Sequence, residues 1–251
     1  MLLVWASPAS GSSGPSLIGK LNVKGERNAG YDRDLFNHWI DADSDSCDTR
    51  DEVLYRQNRD RNRYCGAARG SWKSAYDGAR FTDSSDLDVD HFVPLSEAWG
   101  SGARKWNGPT RTRYANDLYG YSLLAVSASS NRSKGDSDPS EWLPRSSFQC
   151  VYAARWVAVK YRWRLSVDRA EKSALQLIMR GCSNSSLRVG KTRRAKIGVK
   201  GKGGGGGNGG LDPRFSTCSA AKAAGYGPYV KGRDPEYAWY RDADSDGIVC
   251  E

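Results

Sequence analysis

The residues best suited to chemistry lie in one stretch, Leu87-Asp88-Val89-Asp90-His91-Phe92-Val93-Pro94, which holds one of only two histidines in 251 residues. A neutral imidazole can accept a proton from water near pH 7, and carboxylates can hold a divalent metal ion. The apolar residues predict a short strand that ends near Asp90 and His91. On such a strand Asp88 and Asp90 share one face, while Asp90 and His91 point to opposite faces. Both can serve one site only if the strand breaks there, and Pro94 favours a break.

Two later segments could complete a site around this strand. The apolar run 122–127 predicts a second, buried strand, and residues 128–139 after it begin like a helix. Asn116 lies between the two strands and Asn131 lies on the helix. The predicted order is therefore strand, strand, helix, with a polar residue on each part.

This order of elements, with four motifs, resembles the secreted branch of the HNH, or ββα-metal, nucleases. The motifs are Asp90-His91-Phe92-Val93-Pro94, Asn116-Asp117-Leu118, Ser130-Asn131-Arg132-Ser133-Lys134 and Asp138-Pro139-Ser140-Glu141-Trp142. Each motif alone is weak, but four in this order and at this spacing are specific. The resemblance covers roughly residues 31–182.

The resemblance implies a role for each matching residue. His91 is the expected general base, and Asp90 and Asn131 are the expected metal ligands. Asn116 and Asn131 are counted with His91 as catalytic residues, and Asn116 is expected to orient the loop that carries His91. The residues expected to face the substrate phosphate are Arg50, Arg132 and Lys134. Hard oxygen ligands suit Mg²⁺, with Mn²⁺ as the alternative. Asn131 stands where a classical HNH site has histidine, which leaves more metal positions to water.

The predicted fold class is α+β, a ββα-metal core with surrounding helices plus a small C-terminal domain. Residues 1–16 are expected to be a truncated signal peptide or a disordered segment, and residues 17–185 the nuclease domain. A basic, glycine-rich linker is expected at 186–212, because residues 201–210 contain eight glycines. Helices are predicted at 31–40, at 151–163 and from the capping box at Asp168 to Gly181. The aromatic residues of 151–163 are expected to pack in the core.

The C-terminal segment 213–251 resembles the Excalibur calcium-binding domain. Its carboxylates Asp242, Asp244 and Asp246 alternate, and Gly247 follows at the position where a calcium loop turns sharply. Glu251 is the expected fourth Ca²⁺ ligand, although it lies two positions earlier than the bidentate glutamate of an EF-hand. A similar stretch, Asp41 to Glu52, lacks this glycine, and a structural role is favoured there over a bound ion.

Six cysteines without a C-x-x-C motif favour disulfides over zinc. Fifteen pairings are open, and locality favours Cys47–Cys65, Cys150–Cys182 and Cys218–Cys250. Disulfides predict a secreted, extracellular protein. No apolar run is long enough to span a membrane, and a monomer is expected.

The formal net charge is +9, and seven positive charges lie in 183–211, a stretch without acidic residues. Such a stretch can bind polyanions or serve as a solvated linker. The first functional expectation is metal-dependent hydrolysis of nucleic acid, DNA before RNA. The alternative is a non-enzymatic, calcium-dependent protein that binds cell wall or polyanions. Such binding does not require the combination of His91, Asn116 and Asn131. His38, beside Trp39, is expected to be structural.

Overall fold

The computed structural model describes residues 12–61, 63–119, 121–190 and 192–199, and towards the C terminus residues 214, 216–223, 229–232, 235–243, 245 and 247–250. The strands are β1 (Ser12–Ser13), β2 (Arg69–Lys73), β3 (Arg80–Asp83), β4 (Leu87–His91), β5 (Leu123–Ser127), β6 (Arg188–Val189), β7 (Tyr229–Val230) and β8 (Ile248–Val249). The helices are α1 (Gly14–Ile18), α2 (Thr49–Gln57), α3 (Leu95–Ser101), α4 (Gly108–Ala115), α5 (Ala128–Lys134), α6 (Ser146–Trp163), α7 (Arg169–Arg180) and α8 (Cys218–Ala223). The fold is α+β, as predicted.

Strands β4 and β5 form an antiparallel pair, and helix α5 packs against both. His91 pairs with Leu123 in the β4–β5 register. The face of β4 that carries Leu87 and Val89 packs with α2 in a small apolar cluster. Helix α5 follows β5 directly because the Ser127 side chain accepts a hydrogen bond from the backbone N–H of Ser130 and caps the helix. Strands β4 and β5 and helix α5 come in this order along the chain, with helices α3 and α4 between the two strands.

Helix α6 runs through the main core and packs against α1 and α7. Its aromatic residues Tyr152 and Trp156 are fully buried, so they serve core packing as expected. Lys160 is also fully buried, and its ammonium group pairs with Glu97 on α3 and Glu171 on α7. A buried cation is costly unless it is paired and hydrogen-bonded, and here the pairing ties three helices together.

The prediction of a helix at 31–40 was wrong. This segment contains only the 3-10 turn Arg33–Leu35, whose backbone is capped by the Asp32 side chain. Trp39 has φ +60°, a left-handed conformation that an α-helix cannot contain. The hydrophobic spacing reflects an irregular segment that buries Phe36 completely.

Part of the expected linker packs on the larger domain, which differs from the predicted boundaries. Strand β6 pairs with β1, and Val189 is only 1% exposed. Further on, the Gly198 N–H donates to the Thr110 hydroxyl and Arg113 donates to the Lys196 carbonyl. Composition could not indicate this, because backbone groups make much of the contact. Residues 1–11 and 200–213 lie outside the described residues.

The three disulfide bonds have the expected pairing, Cys47–Cys65, Cys150–Cys182 and Cys218–Cys250. In the small C-terminal unit, β7 pairs with β8, and Tyr229 and Val249 are buried around the Cys218–Cys250 bond. Within the described part of the chain, no helix combines the length and apolar character that a membrane crossing requires.

Candidate active site

His91 ends strand β4 with its imidazole almost completely buried at 6% exposure. Its Nε2 lies 2.8 Å from the Ala115 carbonyl oxygen. A carbonyl can only accept a hydrogen bond, so Nε2 carries the proton and Nδ1 carries the lone pair. Burial lowers the pKa of His91 to about 3, which keeps the imidazole neutral at physiological pH. The residue therefore has the protonation state that a proton acceptor needs.

Asp90 points to the opposite face of β4 and is also buried. Its carboxylate accepts a hydrogen bond of 2.5 Å from the Tyr76 hydroxyl and lies 2.9 Å from the Lys134 ammonium. Burial raises the pKa of Asp90, against the opposing effects of Lys134 and Tyr76. Sequence reasoning missed Tyr76, which lies outside the four motifs.

The position of Lys134 differs from the phosphate-facing role expected from the sequence. Its side chain is 0% exposed, and Nζ also donates to the His91 carbonyl at 3.2 Å. The last turn of α5 lies against β4, so the lysine reaches into the protein instead of towards solvent. Its charge balances Asp90.

Asn131, one turn before Lys134, faces the same side of β4. Its amide Nδ2 donates to the Asp88 carboxylate at 3.1 Å. Asp88 and Asp90 therefore share the face towards α5, as the strand pattern predicts. Asp88 was not assigned a role from sequence, and its contact with Asn131 makes it a candidate oxygen donor beside the predicted ligands.

A cavity of about 210 Å³ lies at the end of β4 and is bordered by both Asp90 and His91. The strand is not broken before His91; instead the cavity lies where the strand ends, so residues of both faces reach it. Asn131, Arg132 and Arg33 also line this cavity. Arg33 belongs to the irregular 31–40 segment and was not among the expected phosphate partners.

Asn116 joins this irregular segment to the end of α4. Its Oδ1 accepts from the Ile40 N–H at 3.2 Å, and its Nδ2 donates to the carbonyls of Asn37 and Thr112 at 2.7 and 2.8 Å. Between these anchors the Trp39 ring stacks on His91, with centroids 5.2 Å apart. The Asn116 side chain thus ties the end of α4, next to Ala115, to the segment that carries the Trp39 ring.

The second histidine lies beside the first. The ring centroids of His38 and His91 are 6.3 Å apart, and Nδ1 of His38 contacts the Phe36 carbonyl at 2.8 Å. Arg50, the remaining expected phosphate partner, donates to the carbonyls of Ser84 and Leu87, at the far end of β4 from His91. Arg50 does not line the cavity.

The two aspartate-rich loops have closely similar backbone hydrogen bonding. In the C-terminal loop, Asp242 accepts from the N–H groups of Ser245 at 2.8 Å and Gly247 at 3.0 Å. In the earlier loop, Asp41 accepts from Ser44 at 2.8 Å and Ser46 at 3.0 Å. Gly247 has φ +86°, the conformation for which glycine was expected there. The other predicted calcium ligands, Asp244, Asp246 and Glu251, lie outside the described residues.

Residues 41–177, more than half of the chain, match the family described as GmrSD restriction endonucleases, C-terminal domain. The chain belongs to this family. Residues 215–251 match the Excalibur calcium-binding domain, as the sequence predicts. A protein of Arthroderma benhamiae named only as an uncharacterized secreted protein is 45% identical over 177 residues, which are 69% of this chain and 86% of that protein. No solved structure matches the chain.

The larger domain is thus related to nucleases, and the C-terminal unit is similar to a calcium-binding module. The secreted relative, the disulfide bonds and the Excalibur match agree on an extracellular protein, which confirms the predicted location.

Proposed function

We propose that this protein is a secreted, metal-dependent endonuclease of the HNH, or ββα-metal, type that hydrolyses phosphodiester bonds, in DNA first and in RNA second. The observation that carries the proposal is the state of His91. Its imidazole is neutral, its Nε2 is held by the Ala115 carbonyl, and it borders a cavity that two arginines line. The family relationship supports nucleic acid as the substrate class.

In the proposed reaction, Nδ1 of His91 accepts a proton from the attacking water. The stacked Trp39 ring keeps the imidazole in one orientation, and Asn116 keeps Trp39 in place. Arg132 and Arg33 bind non-bridging phosphate oxygens, since a guanidinium group suits the geometry of a phosphate. Arg33 takes the role first expected of Lys134.

The oxygen donors near the cavity fit a hard divalent cation. We assign Asp90 and Asn131 as ligands and add Asp88, which contacts Asn131 directly. Lys134 already balances the charge of Asp90, so Asp90 attracts the ion less strongly than the sequence predicts. Binding of the ion therefore depends more on Asp88 and Asn131. Such donors suit Mg²⁺ or Mn²⁺, which retain several waters. A bound ion would relieve the phosphate charge and assist the leaving oxygen.

The C-terminal module is proposed to bind one Ca²⁺ through Asp242, Asp244, Asp246 and Glu251, apart from catalysis. Without an ion the clustered carboxylates repel one another. The described ligand, Asp242, is already oriented by backbone N–H groups and by the Tyr237 hydroxyl at 2.6 Å.

The decisive experiment incubates the purified, oxidised protein with supercoiled plasmid, single-stranded DNA and RNA, with and without each of Mg²⁺, Mn²⁺ and Ca²⁺. His91→Ala should lower turnover by at least about 10²-fold, the usual loss when a general base is removed. His38→Ala is the matched control, because its ring lies in the same aromatic group but outside the cavity lining. If His38→Ala abolished cleavage while His91→Ala did not, the assignment of the base would be wrong.

A further inference from the structure

A second cavity, of about 670 Å³, lies at the C-terminal end of α3, away from the His91 site. Five basic residues are among those that line it, and no acidic residue is. They are Lys24, Arg27, Arg104, Lys105 and Arg164.

Some other basic residues of the domain are neutralised by carboxylates. Lys134, Lys160 and Arg162 are each paired with a carboxylate. Within the described residues, none of the five has an ion pair or a side-chain hydrogen bond of its own. Unpaired like charges around one concave surface repel one another, so the arrangement favours a polyanion as the occupant.

Three separate segments bring these charges together, and backbone hydrogen bonds hold those segments. The Lys24 N–H donates to the Val167 carbonyl at 2.9 Å, and the Arg27 N–H donates to Gly100 at 3.2 Å. Ile197 and Val199, from the part of the basic stretch that packs on the domain, also line the cavity. The charges therefore stand on an ordered frame.

Arg164 gives the most specific indication. It ends α6 with φ +56°, a left-handed position at which glycine is strongly favoured. Arginine is unfavourable for the backbone there, and within the described residues no contact of its side chain compensates. A role in binding an anion would account for a cation at this position.

We propose that this cavity binds the phosphodiester backbone of a nucleic-acid strand, apart from the phosphate that is cleaved. A strand presents one charge per nucleotide and can meet several cations in succession, whereas one free phosphate would leave most of the five unpaired. The substrate class rests on the proposed function. The contacts are to backbone, so binding here depends on salt and not on base sequence.

The test measures binding of a fluorescent duplex of about 20 base pairs, and of the matching single strand, over a salt series by anisotropy. The measurement uses the full-length chain with His91→Ala, which prevents cleavage during the titration. If this variant folds poorly, the same measurement is made on the wild-type chain in the presence of a metal chelator. Arg164→Gly should weaken binding and lower the slope of log Kd against log salt by about one. Its melting temperature should stay equal or rise, because glycine relieves the backbone.

Arg104→Ala with Lys105→Ala should lower the slope by about two. Lys172→Ala with Arg180→Ala on α7 is the control, since it removes the same charge outside the cavity. Equal effects of cavity and control variants would overturn the inference and leave the nuclease proposal standing. If the wild-type chain neither bound nor cleaved any nucleic acid, both this inference and the nuclease proposal would be overturned.

Discussion

Replacement of Lys134 by methionine tests whether its ammonium group is structural or contacts the substrate. Methionine has a similar length and keeps the packing against β4, but it leaves Asp90 buried with only Tyr76 as a charge-stabilising partner. Removal of one partner from a buried ion pair costs about 3–5 kcal/mol. For a domain of this size that loss lowers the melting temperature by roughly 10 °C.

The assay is urea and thermal unfolding of the oxidised protein followed by tryptophan fluorescence. Seven of the nine tryptophans lie between residues 39 and 163, so the signal reports the larger domain. Addition of Asp90→Asn to Lys134→Met should recover a large part of the stability, because the orphaned charge is then removed as well.

If Lys134 instead contacts the substrate phosphate, Lys134→Met should leave unfolding unchanged and raise KM. A loss of stability below about 1 kcal/mol, with no recovery in the double variant, would refute the buried-pair argument.

Asn131→Ala should raise the Mg²⁺ concentration needed for half-maximal plasmid cleavage, or abolish cleavage; full activity in excess EDTA would contradict the proposed metal. Asp242→Ala should weaken Ca²⁺ binding of the full chain in calorimetry while the cleavage rate stays unchanged, since that loop belongs to the Excalibur match. Although burial acts to raise it, hydrogen bonds from Ser127, Ala79, Ser74 and Ser130 lower the pKa of Asp77 from 3.8 to about 2. A lowered carboxyl pKa stabilises the fold above about pH 4 and loses this contribution as pH falls towards 2. Asp77→Asn should therefore cost about 1 kcal/mol at neutral pH, after discounting for its exposure, and only a small part of that at pH 2, where the folded-state carboxyl is half protonated; equal destabilisation at both pH values would contradict this origin.

Local features of the chain were predictable from its sequence. The β4–β5–α5 order follows from apolar runs and a serine cap, and the capping box of Asp168 and Glu171 sets the start of α7. The cysteine pairs each lie within one segment, so locality alone favoured the observed connectivity. These features depend on neighbours a few residues away, and short-range stereochemistry and hydrogen bonding decide them.

The expected helix at 31–40 shows where local pattern misleads. Its apolar spacing is real, but bonds from Asn116, 76 residues from Ile40, hold the backbone around Trp39 in a non-helical path. In the same way, composition marked the basic stretch as a linker, while pairing with β1 places Val189 in the core.

The chemistry of the site was decided by tertiary structure. Only the packed fold gives His91 a carbonyl partner that leaves the lone pair on Nδ1, and only it places Lys134 against Asp90, 44 positions earlier in the chain. Residue types and spacing determined which groups were available, namely one imidazole, two carboxylates and two amides. Burial and long-range partners determined which of them are neutral, paired or open to a substrate, because those properties depend on contacts that no local stretch of sequence contains.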